Sequence, residues 1–248
     1  IDIAMDVTNP EVLYVAMWQA WRAPWGMSSG GVHSGIYKTT DGGATWSNLV
    51  KESKGLPQGL IGKVGLAVSP VNPRLVWALI EADSGGVYKS NDGGATWSYI
   101  NRERKLRQRA WYYSRLFADP RDSNVVYGLN VQFFRSRDGG VTWEKRNPFA
   151  QQAQYYSQLV VDPVNKDRLY VTNVLIQVSD DGGKTLRPIG ERWKHVDSHC
   201  LWIDPANPSF YRVGCDGGIY ESSDRGANWR FLDNLPADYR VGMVSFAD

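Results

Sequence analysis

One nine-residue stretch occurs five times in this sequence at nearly constant spacing. It reads KTTDGGATW at 38–46 and recurs as KSNDGGATW (89–97), RSRDGGVTW (135–143), VSDDGGKTL (178–186) and ESSDRGANW (221–229). The aspartates at its centre are 51, 46, 43 and 43 residues apart, at Asp41, Asp92, Asp138, Asp181 and Asp224. A catalytic loop is needed only once, so five copies indicate a repeated structural element.

The residues of each copy fit a tight hairpin turn. The aspartate, and the Ser or Thr two places before it, can accept hydrogen bonds from nearby backbone amides. A glycine two places after the aspartate is expected to have positive φ, at Gly43, Gly94, Gly140, Gly183 and Gly226. Four copies end in a tryptophan expected to pack under the turn, at Trp46, Trp97, Trp143 and Trp229. A phosphate-binding loop needs a Lys-Ser/Thr pair leading into a helix, which no copy has.

A second repeat runs in phase with the first. It comprises MDVTNPEVLYVA (5–16), VSPVNPRLVWAL (68–79), ADPRDSNVVYGL (118–129), VDPVNKDRLYVT (161–172) and IDPANPSFYRVG (203–214). Each copy is an apolar run, a Pro/Asn/Asp turn and a β-branched or aromatic run, which is a hairpin signature. Together the two repeats give four short antiparallel strands every ~40–50 residues, the pattern of a β-propeller blade.

The sequence therefore predicts an all-β chain, a β-propeller of four-stranded antiparallel blades with about five blades. We expect a single propeller segment with blades at about 1–50, 62–100, 111–147, 155–190 and 197–233, and the start of a further blade at 239–248. Because an open ring leaves unpaired strand edges, we also expect further blades from the rest of a longer chain or from another chain.

The S/T-x-D-x-G-x-T-W pattern resembles the Asp-box (BNR) repeat of sialidases, xyloglucanases, the sortilin luminal domain and photosystem II assembly factors. The chain as a whole is similar to bacterial sortilin-like and BNR-repeat proteins that carry a glycosyl hydrolase label. That similarity depends on RAPWGMSSGGVHSGIYKTTDGG, RAWYYSRLFADP and HVDSHCLWIDPANP. It implies the propeller fold and says little about function, because one fold serves many activities.

Composition restricts the class of partner. The formal net charge is only +2, so no global field favours nucleic acid, and no apolar run approaches the ~18 residues of a membrane helix. We expect a secreted or periplasmic protein without cofactor. Cys200 and Cys215 flank one predicted turn, which leaves open a disulfide or two buried thiols.

Topology divides the turns between two faces. Within a blade of strands A to D, the A–B turns and the Asp-box C–D turns lie on one side, the Asp-box face. The B–C turns and the D–A links lie on the other side, which we call the loop-rich face. It receives a long insertion at 18–35 and the links 101–114, 147–157 and 190–200.

The loop-rich face carries the predicted binding residues, since long loops on a rigid scaffold concentrate function. They are the aromatic, arginine and histidine side chains Trp21, Arg22, Trp25, Arg109, Trp111, Tyr112, Tyr156, Trp193 and His199. The alternative is that these side chains plug the propeller funnel.

Carboxylates and histidines on this face suggest catalysis. Asp83, Asp197 and Asp216 are weak candidates for the two carboxylates of a glycosidase, although Asp216 also fits a turn. His195, Asp197 and His199 alternate like metal ligands, but we expect no metal site.

The sequence favours a binding module for protein, peptide or glycan over an enzyme, without deciding between them. The alternatives are a xyloglucanase-like or sialidase-like glycoside hydrolase, and an assembly subunit of a larger complex.

Overall fold

The structure is a computed structural model that describes residues 2–147 and 158–233. It contains five four-stranded sheets and one two-stranded hairpin, with 22 strands in the described part of the chain. The predicted all-β fold, a β-propeller arrangement of five four-stranded antiparallel blades, is confirmed. The predicted strand at 239–248 lies outside the described residues.

The first three blades lie in residues 2–147. Blade one and its insertion contain β1 (Asp2–Met5), β2 (Leu13–Met17), β3 (Ala20–Ala23), β4 (Gly26–Ser29), β5 (Gly35–Thr39) and β6 (Ser47–Asn48), followed by helix α1 (Leu49–Glu52). Blade two contains β7 (Val64–Val68), β8 (Val76–Ile80), β9 (Gly86–Ser90) and β10 (Ser98–Asn101). A 3-10 turn (Arg104–Leu106) leads to blade three, which contains β11 (Arg115–Ala118), β12 (Val126–Leu129), β13 (Phe133–Ser136) and β14 (Glu144–Asn147).

The last two blades lie in residues 158–233. Blade four contains β15 (Leu159–Val161), β16 (Leu169–Val171), β17 (Gln177–Ser179) and β18 (Arg187–Pro188). Blade five contains β19 (Ser198–Ile203), β20 (Tyr211–Cys215), β21 (Gly218–Ser222) and β22 (Arg230–Phe231). Among the described residues, no helix has the length and apolar character needed to cross a bilayer.

The chain divides into two compact units, Ile1–Lys145 and Arg146–Asp248, which we call unit 1 and unit 2. The boundary falls within β14. Unit 1 has two buried clusters, one centred on Tyr14, Ile36 and Trp97 and one on Trp77, Phe134 and Trp143. Unit 2 has one buried cluster, which includes Tyr170, Tyr211 and Trp229.

The five repeats form the predicted turns, as the second copy illustrates. Asp92 Oδ1 accepts hydrogen bonds from Thr96 N (2.9 Å) and Ser90 Oγ (2.8 Å), and Asp92 Oδ2 accepts one from Thr96 Oγ1 (2.6 Å). Ser90 Oγ in turn accepts from Gly94 N at 2.7 Å. Positive φ at the predicted glycine, 91° at Gly94 and 85–97° in the other copies, allows this closure. In the fifth copy Asn228 Nδ2 replaces the threonine hydroxyl, at 2.8 Å from Asp224 Oδ2.

The two repeats of each blade are hydrogen-bonded to each other, which places them on one face as predicted. Gly42 N donates to Glu11 O (3.0 Å) in blade one, and Gly93 N donates to Arg74 O (2.8 Å) in blade two. Corresponding bonds of 2.8–3.0 Å occur in the other three blades. The Asp-Pro turns therefore support the Asp boxes and leave the loop-rich face to other segments.

The aromatic column of the second repeat joins neighbouring blades within unit 1. The hydroxyl of Tyr14 donates to Gly93 O of the next Asp box at 2.9 Å, and Trp77 Nε1 donates to Gly139 O at 2.8 Å. Both side chains are about fully buried, so each bond satisfies a polar atom that would otherwise lack a partner. These bonds explain why the two repeats keep their spacing.

Trp46 is more exposed than the other Asp-box tryptophans. Trp97, Trp143 and Trp229 are 5–6% exposed because side chains of the preceding blade cover them, whereas Trp46 is 42% exposed. Trp46 Nε1 nevertheless donates to Gly43 O at 3.0 Å, as the equivalent tryptophans of copies two and three do to their own glycines, so Trp46 packs under its turn as expected.

The two cysteines are free buried thiols. A bulge at His199 shifts the pairing of β19 with β20, so that Cys200 lies opposite Gly214 and Cys215 lies opposite Ser198. The pairing of Ile203 with Tyr211 at the turn sets this register, and the bulge then moves Cys215 one residue further from Cys200. The disulfide alternative is not realised.

Candidate functional site

The insertion of blade one forms a hairpin that extends the loop-rich face of unit 1. Strands β3 and β4 pair Ala20 with Ser29 and Ala23 with Gly26, so the turn lies at Pro24 and Trp25. Trp25 is 83% exposed and Trp21 is 58% exposed. Exposure of a large apolar side chain lacks the free energy gained by burial, so grouped exposed aromatics often mark a binding surface. The hairpin presents two such aromatic surfaces to solvent.

Glu81, at the end of β8, joins three segments of the loop-rich face. Its Oε2 accepts hydrogen bonds from Ser29 Oγ (2.6 Å) and Lys63 N (2.8 Å), and its Oε1 accepts one from Trp111 Nε1 (2.9 Å). Ser29 Oγ also accepts from Trp18 Nε1 at 2.9 Å. Glu81 thus holds the insertion and the link 101–114 at one place in unit 1.

Gly62 leaves space for the Glu81 carboxylate. A Cβ at Gly62 would lie 2.2 Å from Glu81 Oε2, so only glycine allows the carboxylate to reach Ser29 and Lys63. With three hydrogen bonds to its two oxygens, Glu81 positions the segments that carry Ser29, Lys63 and Trp111. The sequence does not single out Glu81 or Lys63 as site residues.

Lys63 lies beside Trp111 and Trp18. Its Nζ donates to Trp111 O at 3.2 Å and lies 5.9 Å from the centre of the Trp18 ring. Burial, together with the nearby Arg115 guanidinium, lowers the pKa of Lys63 to about 8, although Asp2 and Glu81 oppose this shift. The site therefore contains an amine whose charge changes slightly above neutral pH.

Arg115 and Asp2 form an ion pair next to Lys63. Arg115 Nη1 lies 2.7 Å from Asp2 Oδ1, and Asp2 Oδ2 accepts a hydrogen bond from Leu66 N at 2.9 Å. Burial raises the pKa of Asp2, while Arg115 and the Leu66 amide act in the opposite direction. The pair connects the first strands of blades one, two and three.

The link 101–114 places its predicted residues on the same face of unit 1. Trp111 is 38% exposed despite its bond to Glu81, and Arg109 stacks on Tyr112 with 5.3 Å from the guanidinium carbon to the ring centre. Arg109 has a φ of 48°, which is uncommon for a residue other than glycine. Arg22 and Asp83 are also exposed. Unit 1 thus brings together the insertion, the B–C turn of blade two and the link.

In unit 2, a buried lysine anchors the link 190–200. The Lys194 side chain is 0% exposed; its Nζ pairs with Glu191 and donates to Ser198 Oγ at 2.9 Å. Burial raises the pKa of Glu191, but the Lys194 ammonium and the Ile176 amide oppose this effect. Trp193 is held next to this anchor and is 72% exposed.

His199 and Asp216 form a pair on the loop-rich face of blade five. The bulge at His199 turns its side chain toward Asp216, with 2.6 Å between Nε2 and Oδ1. Asp197, at φ 61°, accepts a backbone hydrogen bond from Asp216 N. The backbones of Asp197 and Asp216, the two candidate carboxylates of unit 2, are therefore hydrogen-bonded to each other. Asp216 also contacts the imidazole of His199.

The described residues contain no group of three metal-binding side chains. The imidazole of His195 interacts with Val196 O at 2.8 Å, whereas that of His199 interacts with Asp216. The alternation of 195, 197 and 199 thus does not bring the two imidazoles to one centre. Tyr156 lies outside the described residues.

Comparisons with known proteins agree with this architecture. The BNR/Asp-box repeat model matches residues 134–145. A xyloglucanase of Hypocrea jecorina (strain QM6a) is 30% identical over 98 residues, which cover 34% of this chain and 12% of that protein.

Three solved structures show the same fold. A GH74 enzyme from Niastella koreensis has 18% identity and a TM-score of 0.59, covering 94% of this chain and 31% of that one. A GH74 xyloglucanase from Xanthomonas campestris has 18% identity and a TM-score of 0.61, covering 94% and 32%. YCF48 from Cyanidioschyzon merolae has 14% identity and a TM-score of 0.56, covering 90% and 66%.

This chain spans about a third of the length of the two GH74 chains. The repeat match, the five blades and these relatives together identify the chain as an Asp-box (BNR) repeat β-propeller with glycosyl hydrolase-like relatives.

Proposed function

We propose that this chain forms part of a secreted glycoside hydrolase whose loop-rich face binds a polysaccharide. The observation that carries the proposal is the group of exposed tryptophans at the insertion and the link, Trp21, Trp25 and Trp111. Flat aromatic rings with one polar edge are well suited to stack on sugar rings. The sequence match to a xyloglucanase supports a hydrolase over a module that only binds, which the sequence alone had favoured.

Each part of the loop-rich face would have a separate role. Trp25 and Trp21 would provide a platform for the sugar chain, and Glu81 would hold Trp111 in place through its hydrogen bond. Asp83, Asp197 and Asp216 are the candidate carboxylates. Hydrolysis of a glycosidic bond needs one carboxyl group to protonate the leaving oxygen and a second to act as base or nucleophile.

Among the candidate carboxylates, Asp216 pairs with an imidazole, that of His199. A histidine at 2.6 Å can share or return a proton as the carboxylate changes its protonation state. Asp216 follows the B strand of blade five, in unit 2. We propose Asp216 as the carboxylate that this unit contributes.

The test is release of reducing ends from xyloglucan, combined with binding of xyloglucan oligosaccharides. The protein should bind and cleave, and the Asp216→Asn variant should bind with unchanged affinity but cleave at least a hundredfold more slowly. Binding without any cleavage by the unsubstituted protein would instead support the binding module. If the protein neither binds nor cleaves any polysaccharide, the proposal is refuted.

A matched pair of variants tests the place of binding. Trp25→Ala should weaken binding at least tenfold, since exposed aromatic contacts at binding surfaces contribute ~2 kcal/mol or more. Trp46→Ala removes an exposed tryptophan from the Asp-box face and should leave the affinity unchanged. Equal losses in the two variants would contradict a site on the loop-rich face.

A further inference from the structure

Two cationic side chains on the loop-rich face of unit 1 have donors that the protein does not use. Arg115 Nε is buried and has no acceptor among the described residues, although the side chain as a whole is 34% exposed. A buried N–H without an acceptor costs about 1–3 kcal/mol, so Asp2 alone does not satisfy this guanidinium, whose exposed part can accept a further anion. Lys63 has three N–H donors, of which one reaches Trp111 O.

The two cations are close enough to affect each other. The guanidinium of Arg115 contributes, after burial, to the lowered pKa of Lys63, which is about 8. Two positive groups that repel each other are both stabilised by an anion bound between them. The nearby groups that titrate or carry charge are Asp2 and Glu81, and both act on Lys63 in the opposite direction.

Those two carboxylates already have partners. Glu81 accepts hydrogen bonds from Ser29, Lys63 N and Trp111, and Asp2 accepts from Arg115 and Leu66 N. The adjacent link adds further positive charge. Its charged residues are the five cations Arg102, Arg104, Lys105, Arg107 and Arg109 and the single anion Glu103.

We propose that Lys63 and Arg115 form a subsite for an acidic sugar unit, a uronate carboxylate or a sulfate ester. Lysine and arginine bind both groups through charge-assisted hydrogen bonds. The exposed ring of Trp111, whose carbonyl accepts from Lys63, adjoins the subsite, so a sugar ring can stack there while its anionic substituent reaches the two cations. This inference rests on the proposed polysaccharide site and adds to it a subsite for an acidic substituent of the glycan.

The experiment compares three tetrasaccharides with one β-1,4-glucan backbone: cellotetraose, its C6-carboxylate form and its C6-sulfate form. Calorimetry at pH 6.5 should show at least tenfold tighter binding of one acidic form than of cellotetraose. Whichever acidic form is preferred identifies carboxylate or sulfate as the group. Lys63→Gln should abolish the preference, whereas Lys51→Gln, an exposed lysine on α1, should retain the preference and the affinity for cellotetraose.

A pH series on the unsubstituted protein keeps the test valid if Lys63→Gln fails to fold. Because Lys63 loses its charge near pH 8, the preference for the acidic form should fall at least threefold between pH 6.5 and pH 9.5. Equal binding of all three sugars, or a preference that Lys63→Gln leaves intact, would overturn the acidic subsite while the polysaccharide site stands. Binding of none of the three, with no cleavage of xyloglucan, would overturn both.

Discussion

Replacing Glu81 should disconnect the segments that form the loop-rich face of unit 1. The carboxylate accepts three hydrogen bonds, at 2.6, 2.8 and 2.9 Å, from Ser29, Lys63 and Trp111. A hydrogen bond to a charged group contributes about 1.5–3 kcal/mol when well shielded, and less where solvent has access. Because Glu81 is half-buried, we take ~1 kcal/mol for each bond and expect Glu81→Ala to lower the free energy of unfolding by about 2–4 kcal/mol.

Urea denaturation gives this free energy directly, and Asp83→Ala is the matched control for stability. Asp83 is an exposed carboxylate in the same B–C turn, and its removal should change the free energy by ~0.5 kcal/mol or less. Glu81→Gln keeps one acceptor oxygen, so its free energy of unfolding should fall by about 1–2 kcal/mol, between the losses expected for Asp83→Ala and Glu81→Ala. A Glu81→Ala variant as stable as Asp83→Ala would refute the role of Glu81 as the joint between the insertion and the link.

Glu81→Gln also separates positioning from stability. If the variant remains folded at the assay temperature, the weaker hold on Trp111 should still reduce glycan affinity, about threefold to tenfold. An unchanged affinity in a variant that has lost 1 kcal/mol or more would mean that Trp111 needs no support from Glu81 for binding.

Three further predictions concern the Asp-box repeats. Asp138→Ala should lower the free energy of unfolding by about 1–3 kcal/mol, because four hydrogen bonds are lost. Glycan affinity should not change, and a folded variant with lost binding would contradict a structural role. Hydrogen bonds lower the pKa of Asp92 and Asp224 from 3.8 to about 2. The stability from these depressed pKa values is present above pH ~4 and is lost as pH falls toward 2, so the melting temperature should drop over that interval; a flat melting temperature would contradict this. Tyr14→Phe should cost about 1 kcal/mol through its lost bond to the next blade, whereas Tyr37→Phe, with a 3.5 Å exposed bond, should cost little. Equal losses for the two tyrosines would argue against a stabilising inter-blade bond.

The fold could be predicted from sequence because its signals are local. Turn chemistry lies within nine residues, and the glycine that follows each aspartate has positive φ as expected, for example 97° at Gly140. One copy of the turn would be weak evidence for a propeller blade. Five copies that recur in phase with a hairpin pattern are strong evidence for one. The assignment of turns to two faces followed from the order of the strands.

The details of the site depend on contacts between distant residues, which the sequence does not display. Glu81 and Trp111 are 30 positions apart and belong to different blades, and nothing in either segment marks the bond between them. The hairpin β3–β4 lies in a stretch without clear alternation of apolar and polar residues. The bulge at His199 adds one residue to β19, and the imidazole at that position lies beside Asp216.

The most direct test of a polysaccharide site on the loop-rich face is oxidative footprinting of tryptophan, measured by mass spectrometry with and without a bound glycan. Trp25, Trp21 and Trp46 are all exposed, so each is oxidised readily in the free protein. The account predicts at least threefold protection of Trp25 and Trp21 on glycan binding, with Trp46 on the Asp-box face unchanged. Protection of Trp46, with Trp25 and Trp21 oxidised as in the free protein, would contradict it.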